Sequence, residues 1–146
     1  MFDGMMRKLI DRPLNSVGRR MAARGIGANH VTLAGLALGL GAAGIIALGW
    51  STWAALLPLL ASRVADGLDG AVARATAKTD FGGFLDIGCD FLFYGAIPLA
   101  FVLRDDANGM AGAFLLMTFY ANGSTFLAYA IQIGRASCRE RVLMPV

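Results

Sequence analysis

Apolar runs long enough to cross a bilayer make up most of this chain, and four aspartates sit inside or beside them. A transmembrane helix needs about 20 predominantly apolar residues. Runs of that kind extend from Asn29 to Gly49, from Phe81 to Leu103 and from Met110 to Ile131. A further helix is expected from Thr52 to Arg74. Its apolar part ends near Leu60, but nothing before Arg74 breaks it. The hydrophobic fraction of 57% over 146 residues exceeds that of an ordinary soluble domain, so the bilayer is the expected solvent. The fold class expected is an all-α integral membrane protein, with an N-terminal interfacial amphipathic helix and four transmembrane helices in one domain.

The leader sets the orientation. Arg7, Lys8, Arg12, Arg19, Arg20 and Arg24, six of the 13 basic residues, precede the first apolar run. Phe2, Met5, Met6, Leu9, Ile10, Leu14, Val17 and Met21 alternate with them at roughly helical spacing, and Pro13 is expected to break or kink that helix. Basic residues beside a membrane span mark the cytoplasmic side and contact anionic lipid, so no nucleic-acid partner is inferred. Arg74 and Lys78 place the link between the second and third spans on the same side. All four aspartates then lie at the cytoplasmic end, in a bacterial-type inner membrane. Trp50 and Trp53 mark the opposite interface, and Gly35 and Gly39, with Gly44 further along, suit close helix packing. Cys89 and Cys138 suggest no disulfide framework, and His30 is given no site role. Asn122-Gly123-Ser124 matches a glycosylation acceptor but falls within a span, so the match is read as accidental.

The aspartates carry the chemistry. Asp66, Asp69, Gly70 and Ala73 share one helical face, and Asp86 and Asp90, four apart, share a face of the next helix. The link between the helices is short, so they are expected to be antiparallel neighbours with converging acidic faces. Carboxylates gathered at a membrane surface repel one another and lose hydration, so they must take up protons or be neutralised by cations. Oxygen-only ligands favour a hard ion such as Mg²⁺, Mn²⁺ or Ca²⁺ over zinc. Carboxylate-held metal beside Gly70 and Ala73, which leave a groove along the helix, points to a phosphate substrate, and Arg74 can add a charge-assisted contact. Taken singly, the glycine and alanine are equally read as packing residues, and Arg74 as a positive-inside anchor. Asp80 is expected to cap the third span.

The stretch "DGLDGAVARATAKTDFGGFLDIGCD" resembles the signature of the class I CDP-alcohol phosphatidyltransferase family, D-x2-D-G-x2-A-R-x7-G-x3-D-x3-D. Asp66, Asp69, Gly70, Ala73, Arg74, Gly82, Asp86 and Asp90 fill its eight fixed positions. "NHVTLAGL" is similar to the family's entrance to the first span. The resemblance implies transfer of a phosphatidyl or related phospho-alcohol group from a CDP-linked lipid such as CDP-diacylglycerol to an acceptor alcohol, with release of CMP. It implies that Asp66, Asp69, Asp86 and Asp90 serve one or two ions, Mg²⁺ or Mn²⁺, and that Asp90 also takes the acceptor's proton. Gly70, Ala73, Arg74, Gly82, Asn29 and Thr32 would bind the CDP and phosphate groups. It further implies a homodimer with six spans per chain.

Two other expectations concern the remainder of the chain. "QIGRASCRERV", residues 132 to 142, changes composition abruptly, contains the chain's only glutamate, Glu140, and resembles a translated sequencing adapter. Residues 1–131 are therefore read as an incomplete domain and 132–146 as a non-native tail. A basic cytoplasmic tail is the other reading. The functional alternatives are a cation carrier that uses the aspartates as an ion path, and an inactive fragment of the transferase.

Overall fold

A computed structural model describes the backbone of residues 2–143 and the side chains of residues 11–133. Five helices follow one another: α1 (Phe2–Ala23), α2 (Ala28–Ala47), α3 (Thr52–Ala75), α4 (Asp80–Arg104) and α5 (Gly109–Leu143), with a short 3-10 turn at Asp106–Asn108. No strand occurs among the described residues, as expected where lipid forbids unpaired backbone. Three stretches, Ala28–Ala47, Asp80–Arg104 and Asp106–Ile133, are long and apolar enough to cross a membrane. With these apolar helices the chain is an integral membrane protein. The remaining expected span, α3, has the expected bounds but does not qualify on the same grounds, because Arg63, Asp66 and Asp69 fall in its second half.

The elements end where their local chemistry dictates. Gly25 and Gly49, the two residues at positive φ among those described, turn the chain after α1 and α2. Thr79 caps α4, its hydroxyl accepting from the Gly82 amide at 3.0 Å. This corrects the expectation for Asp80, which is the first residue inside the helix and places its charge at the positive end of the dipole. Pro13 does not break α1, which runs continuously from Phe2 to Ala23. Proline costs a helix one amide bond, and the exposed position of Pro13 leaves the freed carbonyl open to water or lipid headgroups. Phe2, Met5, Met6, Leu9 and Ile10, with Arg7 and Lys8, lie outside the described side chains, as do Cys138 and Glu140.

Packing departs from the expected hairpin. α2 packs against both α3 and α4, whereas α3 and α4 make almost no direct backbone contact with each other. Small residues let α2 sit between them. A methyl group at Gly39 would lie 2.5 Å from the Phe93 ring of α4 and 2.9 Å from Ser62 Oγ of α3, and one at Gly35 would meet the Ala65 methyl at 3.1 Å. Gly44 has open space beside it and takes no part. α1 lies on α3, where Gly18 sits so close to Ala71 that a methyl group would be 2.8 Å from its backbone. α5 rests on α4 through Gly112 at Val102 and Gly123 at Phe91.

Ala42, Ala43, Ile46, Ala55 and Ala100 form a buried cluster toward one end of the bundle. Trp50 and Trp53, 62% and 82% exposed, lie at that end, and Arg104 Nη1 donates to the Trp50 carbonyl at 2.8 Å. The N-termini of α2 and α4 and the C-terminus of α3 gather at the opposite end.

Candidate functional site

Because α2 separates α3 from α4, their ends enclose a cavity of about 340 Å³ instead of closing on each other. α2 contributes Asn29 and Thr32, and α3 contributes Asp69, Gly70, Ala73 and Arg74. The link adds Lys78 and Thr79, and α4 adds Gly82 and Asp86. Every residue expected to contact CDP or phosphate therefore lines one cavity, together with two of the four aspartates. Helical periodicity accounts for the α3 face: Asp69, Gly70, Ala73 and Arg74 lie three, four, seven and eight positions after Asp66 and turn toward the same groove.

Fine geometry fixes several of these groups. Asp69 is 5% exposed, and Thr32 Oγ1 donates to its Oδ2 at 2.6 Å. That short charge-assisted bond holds the carboxylate against α2. Arg74 donates to Asn15 Oδ1 of α1 from Nε at 3.3 Å and from Nη2 at 2.9 Å, so its guanidinium is anchored at the rim of the cavity. Gly82 allows Asn29 to approach: a methyl group there would come within 3.3 Å of Asn29 Oδ1 and 3.0 Å of Thr79 Oγ1.

Asp66 and Asp90 lie one turn deeper, in a narrow recess shared with Thr32, Ser62, Arg63, Asp69 and Cys89. Arg63 was not singled out from the sequence, yet it occupies the centre of this recess. Its Nη1 donates to Asp90 Oδ1 at 3.2 Å and lies 3.7 Å from Asp66 Oδ2. Its guanidinium carbon stands 3.7 Å from the centre of the buried Phe93 ring, within cation–π range. Asp90 also borders a second cavity, of about 270 Å³ between α4 and α5, where Tyr94, Phe119 and Asn122 face it. Asn122, whose glycosylation match within a span is accidental, is thus a polar group on a cavity wall. The signals available for Arg63 and Asn122 were a basic residue three positions before Asp66 and an amide within an apolar span.

Among the described residues, no three acidic, histidine or cysteine side chains are already arranged to hold one ion. The four aspartates gather in two adjoining spaces: Asp66, Asp69 and Asp90 line the recess, and Asp69 and Asp86 line the outer cavity. Arg63 contacts both Asp66 and Asp90, and Thr32 draws Asp69 toward α2. The donor set nevertheless fits a hard divalent cation. All four groups offer oxygen, and two of them already hold a cation, the guanidinium of Arg63. Cys89 is buried and unpaired.

The sequence profile of the CDP-alcohol phosphatidyltransferase family matches residues 26–140. An inner membrane protein of Escherichia coli, YnjF, is 44% identical over 131 residues, covering 89% of this chain and 63% of that protein. The archaetidylinositol phosphate synthase of Pyrococcus horikoshii is 32% identical over 146 aligned positions, covering 95% of this chain and 77% of that protein. The chain thus spans less than two thirds of the length of the first of these relatives. No solved structure matches it.

Proposed function

The chain belongs to the CDP-alcohol phosphatidyltransferase family, and on that premise we propose that it takes part in moving a phosphatidyl or related phospho-alcohol group from a CDP-linked lipid to an acceptor alcohol, releasing CMP. The observation that carries this reading is the outer cavity, which gathers six of the eight signature residues with Asn29 and Thr32. Its contents suit a nucleoside diphosphate. Gly70, Ala73 and Gly82 leave backbone accessible, Asn29 offers an amide, and Arg74 and Lys78 provide positive charge at the mouth.

In the proposed reaction the acceptor approaches Asp90 from the cavity between α4 and α5. Asp90 takes the hydroxyl proton, the acceptor oxygen bonds to the β-phosphorus, and the bond from that phosphorus to the bridging oxygen breaks. CMP leaves with the electron pair, and Arg74 and Lys78 stabilise the charge that develops on it. A divalent cation, Mg²⁺ or Mn²⁺, held by Asp66, Asp69 and Asp86 with Asp90 at its edge, would neutralise the diphosphate. The named activity of the Pyrococcus relative supports head-group transfer, and the name of the Escherichia relative, an inner membrane protein, supports an inner-membrane location. A cytoplasmic active site and a homodimer belong to the same proposal.

The test is CMP release from CDP-diacylglycerol with Mg²⁺ or Mn²⁺ and a panel of acceptor alcohols. Asp90→Asn is expected to lower the rate by about 10²–10⁴-fold. An unchanged rate in that variant would remove the base assignment, and a protein that neither binds nor turns over CDP-lipids would remove the function.

A further inference from the structure

We propose that Arg63 is a positioning residue that fixes Asp90 at the edge of the recess and competes with the divalent cation for Asp66, so that the metal takes Asp66 from a resident guanidinium. This rests on the transferase reading of the site and adds to it a residue outside the signature.

The two contacts of Arg63 are unequal. The 3.2 Å contact to Asp90 is a hydrogen bond, whereas the 3.7 Å approach to Asp66, three residues along the same helix, is Coulombic only. Nη2 reaches Ser62 Oγ at 3.4 Å, and Nε is buried with no partner. The face of the guanidinium rests on Phe93 at 3.7 Å, with the Tyr94 ring at 5.9 Å. Its plane is therefore set by α4, while its stem comes from α3. An ion taking Asp66 oxygen removes the weaker contact and leaves both the Asp90 bond and the Phe93 stack in place.

Asp90 needs such a restraint because it borders two spaces, the recess with Asp66 and Asp69 and the cavity between α4 and α5. Without Arg63 its carboxylate is free to turn between the two spaces, and its place relative to metal and acceptor is no longer fixed. Lysine is no substitute here, since a point charge on a flexible stem cannot reproduce the fork or the stack.

The experiment uses the full chain in nanodiscs, with Mn²⁺ binding read by calorimetry in the absence of donor and CMP release read separately. Arg63→Gln is expected to tighten Mn²⁺ binding on the order of tenfold, since a cation next to the carboxylates is lost. Its kcat is expected to fall by about 10²-fold, with the donor KM little changed. Arg63→Lys should return the Mn²⁺ affinity toward that of the native chain but leave kcat reduced. If Arg63→Gln does not fold, Arg63→Met, which keeps an apolar stem against Phe93 and removes the charge, should shift Mn²⁺ affinity in the same direction. Unchanged or weaker Mn²⁺ binding in Arg63→Gln, or in Arg63→Met where that variant stands in, overturns the proposal. So does a lysine variant indistinguishable from the glutamine variant. Tighter Mn²⁺ binding in the variant, with no CMP release by the native chain, would overturn the transferase reading and leave Arg63 as the competing cation. CMP release by the native chain, with unchanged Mn²⁺ affinity in Arg63→Gln, would overturn the Arg63 assignment alone. Absence of Mn²⁺ binding in every form overturns both.

Discussion

Thr32 illustrates how much of this site is decided by single atoms. Its hydroxyl gives a buried carboxylate, that of Asp69, a 2.6 Å hydrogen bond from a neighbouring helix. A buried carboxylate left without its donor keeps the full cost of lost hydration, about 1–3 kcal/mol. Thr32→Val preserves shape and removes the donor. The expected outcome is a destabilisation of that size in thermal unfolding, together with a raised KM for the CDP-linked donor. An unchanged KM would mean that Asp69 is positioned by something other than Thr32. At this scale the sequence was readable wherever spacing along one helix defines a face, as with Asp66, Asp69, Gly70 and Ala73. Arg63 escaped because its meaning depends on Phe93, thirty residues away on another helix and aligned with it only through α2. Asp80 and Thr79 both have capping chemistry, and backbone geometry alone decides between adjacent residues, in favour of Thr79.

The arrangement of elements turns on α2. A short link between two helices suggests that they are packed neighbours, and the Thr76–Thr79 link made that inference natural for α3 and α4. The fold instead uses glycines on α2 to place a third helix between them. Gly39 is the tightest of these, flanked at once by Phe93 and Ser62. Its small-residue spacing was visible in the sequence, but the identity of its two neighbours was not, since periodicity gives a face and not a partner. Gly39→Leu would drive a side chain into the ring that supports Arg63. Overpacking of this kind costs about 1–3 kcal/mol. The variant is expected to lose thermal stability by that amount, and to lose turnover beyond what stability explains, because Phe93 must move. Gly44→Leu, placed in open space on the same helix, is the control and should leave both nearly unchanged. Equal losses in the two variants would show that α2 tolerates no bulk anywhere and would remove the special role of Gly39.

For the whole molecule, the helices' alternating directions bring every proposed functional residue to one end and the Trp50–Arg104 contact to the other. The all-α architecture was legible because apolar length is a strong signal in lipid. The number of spans was less so, because α3 gives up apolar character where it must carry Arg63, Asp66 and Asp69. Its charged half has to lie at the headgroup level or against protein, since exposed charge in hydrocarbon costs several kcal/mol per group, about 2.5–3.5 on insertion scales. That requirement, with the basic residues of α1 at the same end, is what supports the proposed cytoplasmic placement of the cavity under the positive-inside rule. Cysteine accessibility tests the placement directly. With Cys89 and Cys138 replaced by serine, Lys78→Cys at the cavity mouth should react with a membrane-impermeant maleimide only in inside-out vesicles. Ser51→Cys, in the exposed turn beside Trp50, should react only in right-side-out vesicles or intact spheroplasts. Labelling of both positions from the same side would mean that α3 does not cross the membrane. The aspartates would then lie on a surface hairpin, and CDP-lipid would have to be drawn out of the bilayer to reach them.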